Sequence, residues 1–510
     1  SVAMTIAVLA ACGGGGGSDE PVAISEAPGA RSPAPAPATP PAALNEVPVA
    51  IPADFDSDAA MSARRSLTKT LQTSTTVGAM DRCSSGNYPT QVEWPGVVAT
   101  RQVAAAVGGT PTIRQVRNGQ IIATYANLGV AGCQQPDGND IAPVTTCGAF
   151  SRGAGRNWQE GDVFEILPAV YEGSDQQIWS VPTYASQADR ANGQRSIPRN
   201  LTLRGITVDG RRPLIRLPSS GASENTEGQG LIHIAESRDI TIENIDVVGG
   251  DSGRVGQGAI YLNGVTNLTL RNLWVHGFNR VNGNGIFAND ANAGLLRLDG
   301  LELSDNGGDT GPQHNIYINP SASDRQFTVW MTASYLHDAV YGNTFKSRAQ
   351  VNLIEGNYFQ GSASVNGGQT EAYLLDLPEG GRALVRNNVL VKNASGLNSN
   401  GALMSYAVEG VDDGRPMSLV VEHNTFLAYA KTIGGSHVIF PLFTPYQHDS
   451  GSTWPFDKVS VNSNLFAGFA FSAEDANTRR SSDRADGQRY QAALGLHYRG
   501  ENLGAALVGT

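Results

Sequence analysis

The chain has 510 residues, a formal net charge of −11, 60 glycines and only 16% charged residues. That length does not fit one compact core unless the fold is elongated. The negative field excludes nucleic acid as a whole-surface partner, so an acidic polymer would need a local basic patch.

Residues 2–11 are apolar and run into Leu9-Ala10-Ala11-Cys12, followed at once by poly-glycine. A basic n-region would normally stand before such a run. The run resembles the lipobox of bacterial lipoproteins, whose cysteine becomes the lipidated first residue. The resemblance implies a signal peptide at 1–11, lipidation at Cys12 and a lipid anchor in the bacterial cell envelope. Gly13 at the next position resembles the outer-membrane sorting pattern. Residues 12–58 are rich in Pro, Ala and Gly without periodicity and read as a tether. No other apolar run is long enough to span a bilayer. Apart from Cys12 the cysteines are Cys83, Cys133 and Cys147. In an oxidising compartment Cys133–Cys147 is the expected disulfide, closing a short loop for about 3 kcal/mol. No C-x-x-C pattern or other metal-ligand spacing is present, and no cofactor is expected.

Residues 59–160 read as an N-terminal cap or accessory unit, with possible strands at 97–107 and 113–125. From 161 to 470 the chain is repetitive. GDVFEILPAVYEG (161–173) reads as an opening coil, and one template then recurs: apolar, two positions, a fourth slot, one position, apolar. It fits 242–247, 270–275, 298–303, 331–336, 354–359, 385–390, 421–426 and 461–466. Repeats at this period mean stacked units that each contact only their neighbours. The expectation is an all-β, right-handed parallel β-helix of about ten coils, roughly 45–50 Å long at the usual strand spacing. Residues 471–510 read as a polar tail or cap.

The fourth slot is Ile245, Leu273 and Leu301, then Ser334, Asn357, Asn388, Asn424 and Asn464. Stacked asparagines satisfy one another's buried amides, so this reads as a structural ladder. A second strand precedes each template. Period-two alternation places Ile232 and Ile234 inside with His233 outside, and Ile260 and Leu262 inside with Tyr261 outside. The outer series then reads His233, Tyr261, Phe287, Tyr317, Lys346, Asp376. Placing Lys346 outside needs a turn one residue shorter than its neighbours. The alternative buries an unpaired ammonium, which costs several kcal/mol. Whether Ser405 or Tyr406 continues the series stays open.

The text FKSRAQVNLIEGNYF (345–359) is similar to the K-S-x-x-N…N-x-F rung of the chondroitinase-B-like and alginate lyase family, with Lys346, Ser347 and Asn357 matching. That family's next rung carries an Arg-His-Gly element, where this chain has LLDLPEGG with Asp376. The family's calcium-binding carboxylates on preceding rungs have no evident counterpart. The resemblance implies kinship in the broad pectin-lyase-like superfamily of parallel β-helices. Polygalacturonase motifs are absent. Arg211-x-Pro213-x-x-Arg216 and Trp274-Val275-His276 resemble pectate lyase motifs, but in reversed order and without the aspartate.

β-Elimination on a uronate needs its carboxylate neutralised, a base for the adjacent proton and a donor for the leaving oxygen. The candidates are Lys346 as base, Arg348 as two-pronged carboxylate holder, Tyr317 as donor, and His314 as base or neutraliser. Asp376, Glu379, Tyr406 and Glu409 are the expected substrate contacts. The leading expectation is an extracytoplasmic polysaccharide lyase for an acidic glycan. Two others stay open: a glycoside hydrolase using Asp376, Glu379 and Glu409, and a non-catalytic carbohydrate-binding surface protein.

Overall fold

The computed structural model describes residues 109–129, 148–150, 158–172, 178–180, 199–217, 230–250, 255–280, 282–308, 313–320, 327–361, 371–392, 402–407, 409, 415–428, 458–462 and 464–467. Cys12, Cys83, Cys133, Cys147, the tether and the tail all lie outside these residues, as does the possible strand at 97–107.

Among the described residues the fold is all-β, a parallel β-helix of three long sheets with 12, 10 and 8 strands. One coil shows the plan. Asn284–Asp290 lies in the 8-stranded sheet, Ala293–Asp299 in the 12-stranded sheet and Glu302–Ser304 in the 10-stranded sheet. Each strand pairs in parallel with its equivalents one coil away. In-register stacking therefore puts like residues in columns. Leu203, Ile242, Leu270, Leu298, Met331, Ile354, Val385 and Val421 form one such column, and all are buried. Burying an aliphatic side chain contributes about 1.5–3 kcal/mol.

The template is a turn as well as a pattern. The residue before each fourth slot from Ile245 to Asn424 is left-handed: Asn244, Asn272, Gly300, Ala333, Gly356, Asn387 and His423 have φ between 48° and 65°. That conformation favours Gly and Asn. It bends the chain from the 12-stranded to the 10-stranded sheet and sends the slot residue inward. The polar slots then form the expected ladder. The amide N–H groups of Asn357, Asn388 and Asn424 each donate 2.9 Å to the side-chain oxygen one coil on. The side-chain amides donate to that same oxygen and to a backbone carbonyl, 2.8 Å in the case of Asn388 to Ile354.

At the N-terminal end, Ile113–Arg117 and Gln120–Tyr125 form an antiparallel hairpin. Its first strand pairs antiparallel with Val163–Ile166, which begins the parallel stack against Thr202–Gly205. The hairpin thus occupies a sheet edge that would otherwise be open to pairing with another chain. Asp162, fully buried, holds it in place by accepting from Gln115 and Arg117, each at 2.7 Å.

Candidate functional site

The 8-stranded sheet carries the outer series in register. His233 pairs with Tyr261, Tyr261 with Phe287, Phe287 with Tyr317, Tyr317 with Lys346, Lys346 with Asp376, and Asp376 with Ser405. Phe345 and Ser347, flanking Lys346, are fully buried, so the short turn before Lys346 does place it outward. Ser405 continues the series. Tyr406 faces the core, is 1% exposed and donates its hydroxyl to the Gly381 carbonyl at 2.5 Å. It is therefore no groove residue, contrary to the expectation that it contacts substrate.

The column changes character along its length. His233–Tyr261, Tyr261–Phe287 and Phe287–Tyr317 have ring centroids 5.0, 5.6 and 5.0 Å apart, the last pair nearly parallel. Beyond Tyr317 the aromatic stack gives way to charge. The Lys346 ammonium lies 2.6 Å from one Glu409 oxygen, 3.6 Å from Asp376 and 5.9 Å from the centre of the Tyr317 ring. Arg348 donates to the Tyr317 hydroxyl and to the second Glu409 oxygen. It also pairs with Glu379 at 3.1 Å and reaches Asn319 at 3.2 Å. Tyr317, Lys346, Arg348, Asp376, Glu379 and Glu409 thus form one contiguous network.

Three supporting residues carry no signal beyond ordinary turn chemistry. Asn343 donates 2.6 Å to Asp376 through its side chain, and Ser405 donates to the other Asp376 oxygen. Arg415 pairs with Glu379 at 2.8 Å and donates to the Arg348 carbonyl at 3.1 Å. Glu379 itself is presented by a turn closed through Gly380 and Gly381, with φ of 70° and 88°. A Cβ on Gly381 would stand 2.4 Å from the Gln350 carbonyl oxygen, so that position requires glycine.

His314 sits beneath this network and is buried. Its Nδ1 accepts the Asn343 amide N–H at 2.6 Å. Its ring meets Tyr317 edge-on with centroids 4.9 Å apart. Burial, reinforced by the Lys346 and Arg348 charges, lowers its pKa well below that of a free histidine. The ring is neutral, and because Nδ1 accepts, its proton resides on Nε2. Nε2 has no hydrogen-bond partner among the described residues.

The carboxylates diverge in protonation. Burial pushes Asp376 up to about 6, with Glu409 adding to the shift and the Lys346 charge and Ser405 hydrogen bond opposing it. Burial would also raise Glu409, but its bonds to Lys346 and Arg348 bring it below the usual carboxylate range. The site is charge-balanced rather than basic. Lys346, Arg348 and Arg415 face Asp376, Glu379 and Glu409. Asp376 is 2% exposed and its side chain is enclosed, whereas Glu379 and Glu409 keep 34% and 39% of theirs accessible.

A second, half-buried polar cluster lies on the 10-stranded sheet. His337 holds Asp338 at 2.6 Å and Glu302 at 3.7 Å, and stacks on Tyr335. Trp274 stacks on His276, whose pKa burial lowers to about 4. Arg216 lies in the column Glu172–Arg216–Val248–His276, two rungs from His276, and its ion pair is with Glu172. No group of three or more His, Cys, Asp or Glu among the described residues is placed to hold a metal ion.

The chain matches no protein-family model, and no curated protein or solved structure is significantly similar to it. Its chemistry must be read from its own residues.

Proposed function

We propose that the protein is a polysaccharide lyase that cleaves a uronate-containing glycan by β-elimination. One observation carries this reading: Lys346 and Arg348 together grip a single carboxylate beside the Tyr317 phenol, where a stacked aromatic column ends. Two cations on one carboxylate are what is needed to neutralise a uronate and acidify its neighbouring C–H. In the reaction that C–H bond breaks, a C=C bond forms and the C–O bond to the next sugar breaks. The leaving oxygen gains a proton. Lys346 is held in two ion pairs, so its role shifts from base to carboxylate neutraliser alongside Arg348. Tyr317, on the same edge, takes the proton released from that C–H on its phenol oxygen and delivers a proton to the leaving oxygen, so the proton count balances. Half-buried Tyr317 offers the column's contact to a neighbouring sugar, with Phe287 and Tyr261, 7% and 4% exposed, packed behind it. The fold and the K-S-x-x-N…N-x-F text support membership of the pectin-lyase-like superfamily. The Leu9–Cys12 pattern supports a lipid-anchored, extracytoplasmic protein in the cell envelope.

Glycoside hydrolysis is the second reading, favoured by one feature. Asp376 and Glu409 have pKa values pushed in opposite directions, the signature of an acid and its partner. The enclosure of Asp376 weighs against direct contact with a glycosidic oxygen.

Incubation of the full chain with a panel of uronate polymers separates the readings. Ultraviolet absorbance from unsaturated ends, lost in a folded Lys346→Ala variant, is the expected result. New reducing ends without absorbance assign hydrolysis. Polymer binding without any product assigns a carbohydrate-binding protein and ends the lyase reading.

A further inference from the structure

Three carboxylates surround Lys346 and Arg348, and they are not equivalent. Asp376 is 2% exposed and its two oxygens are pinned by Asn343 and Ser405. Glu379 is shared with Arg415. Glu409 has no other side-chain partner among the described residues than the two cations, and it is the most accessible of the three. Its backbone is fixed, because its N–H donates 2.8 Å to the Pro378 carbonyl. Its side chain can therefore rotate away without moving the chain. If it leaves, neither cation is stranded. Lys346 keeps Asp376 at 3.6 Å, and Arg348 keeps Glu379 at 3.1 Å and Tyr317. The cost of releasing Glu409 is thus small compared with breaking either of the other pairs, since a buried charge left unpaired is the expensive outcome.

We propose that Glu409 is a displaceable latch. It occupies the carboxylate position of the Lys346–Arg348 pair, and the carboxylate of an acidic sugar must replace it. This rests on the reading of that pair as the uronate-binding point. One oxygen of Glu409 meets Lys346 and the other meets Arg348, the same two-point grip a uronate carboxylate would receive. A single uronate competes poorly with a tethered carboxylate, whose effective concentration is high. A polymer whose neighbouring sugars also contact half-buried Tyr317 gains the additional contacts needed to displace it. The latch therefore selects for chains over free monomers, and for acidic over neutral sugars.

The test is calorimetric titration of the full chain and its Glu409→Gln variant with oligogalacturonate and oligomannuronate of matched length, and with a neutral oligosaccharide of the same length. The expected result is about tenfold tighter binding of at least one acidic probe by the variant, with the neutral probe unchanged. Glu379→Gln, which leaves the latch in place, should give no comparable gain. Equal or weaker binding of the acidic probes by Glu409→Gln overturns the proposal, as does failure of both proteins to bind either acidic probe. If Glu409→Gln does not fold, Glu409→Asp replaces it. The shorter carboxylate cannot span both cations and should give a partial gain, and a loss overturns the latch. This readout is binding alone. Tighter binding without unsaturated product sinks the lyase reading and leaves the latch. Unsaturated product without tighter binding does the reverse.

Discussion

The Lys346 ammonium and the Glu409 carboxylate meet at 2.6 Å across 63 positions of sequence. Lys346 lies on a strand of the 8-stranded sheet, and Glu409 lies beyond the strand Ala402–Tyr406 of that sheet, two strands further on. The pair closes over Asp376, which sits on the strand between them. This sandwich makes Lys346 both a structural and a functional residue, and the two roles separate by mutation.

Lys346→Met should destabilise the fold by about 2 kcal/mol. The variant leaves Asp376 enclosed without its cation, a cost moderated because Glu409 is well exposed. A double-mutant cycle between Lys346 and Glu409 should return about 1 kcal/mol or less. Denaturant midpoints of the four proteins measure both quantities. A coupling of several kcal/mol would mean that Glu409 is locked rather than exchangeable.

Asp376 sets a pH dependence with a definite sign. Its folded pKa, about 6, is above the ordinary 3.8. The folded state therefore holds the proton more tightly than the unfolded chain. Its contribution is fully present below pH 3.8 and is lost as pH rises towards and through about 6. The full span is about 3 kcal/mol at 1.36 kcal/mol per pH unit. Asp376→Asn keeps the shape and removes the titration. Denaturation curves between pH 4 and 7 should show that downward slope weaken in the variant. An unchanged slope would assign the proton elsewhere.

His276 acts in the opposite direction. Its folded pKa of about 4 lies below the ordinary 6.5, so the unfolded chain binds the proton first. Stability is lost as pH falls from about 6.5 to 4. His314, lowered by burial and by the neighbouring cations, adds to the same loss. A His276→Gln variant should lose less stability than the parent over that interval, read from thermal midpoints in matched buffers.

Tyr317→Phe keeps the ring that stacks on Phe287 and removes the hydroxyl that accepts from Arg348. Stability should change by about 1 kcal/mol or less. Turnover on a uronate polymer should fall by roughly 100-fold or more if the phenol exchanges the proton. Loss of affinity with turnover at saturation unchanged would reassign Tyr317 as a sugar-stacking platform.

Asn388→Ala tests the internal ladder away from the site. Asn388 accepts from the Asn357 amide, donates to the Ile354 carbonyl and contacts Asn424. Its loss leaves buried donors and an acceptor without partners and should cost at least about 2 kcal/mol. Chemical denaturation measures it, and binding of acidic oligosaccharide by the folded variant should be unaffected.

The architecture was legible because a β-helix repeats its instructions. Each coil independently states an apolar residue, a left-handed turn residue, an inward slot and another apolar residue, and in-register stacking turns that text into columns. The outer series from His233 to Asp376 could be read in the same way, since period-two alternation fixes which side chains leave the core. Tyr406 shows where the pattern stops. A stretch with Ser405 and Tyr406 side by side fits either register, and only the pairing of Asp376 with Ser405 and of Leu377 with Tyr406 decides it.

By itself, the sequence determined the parallel stack, the asparagine ladder and the outward position of Lys346, because each follows from local periodicity and the cost of burying charge. The tertiary structure decided which charges meet. Glu409 and Arg415 reach Lys346 and Arg348 from later in the chain, and Asn343 and Ser405 close over Asp376 from neighbouring coils. Those contacts depend on how turns from different coils converge, which no single repeat encodes. They convert an outer series of aromatic and charged residues into a balanced network with one exchangeable carboxylate.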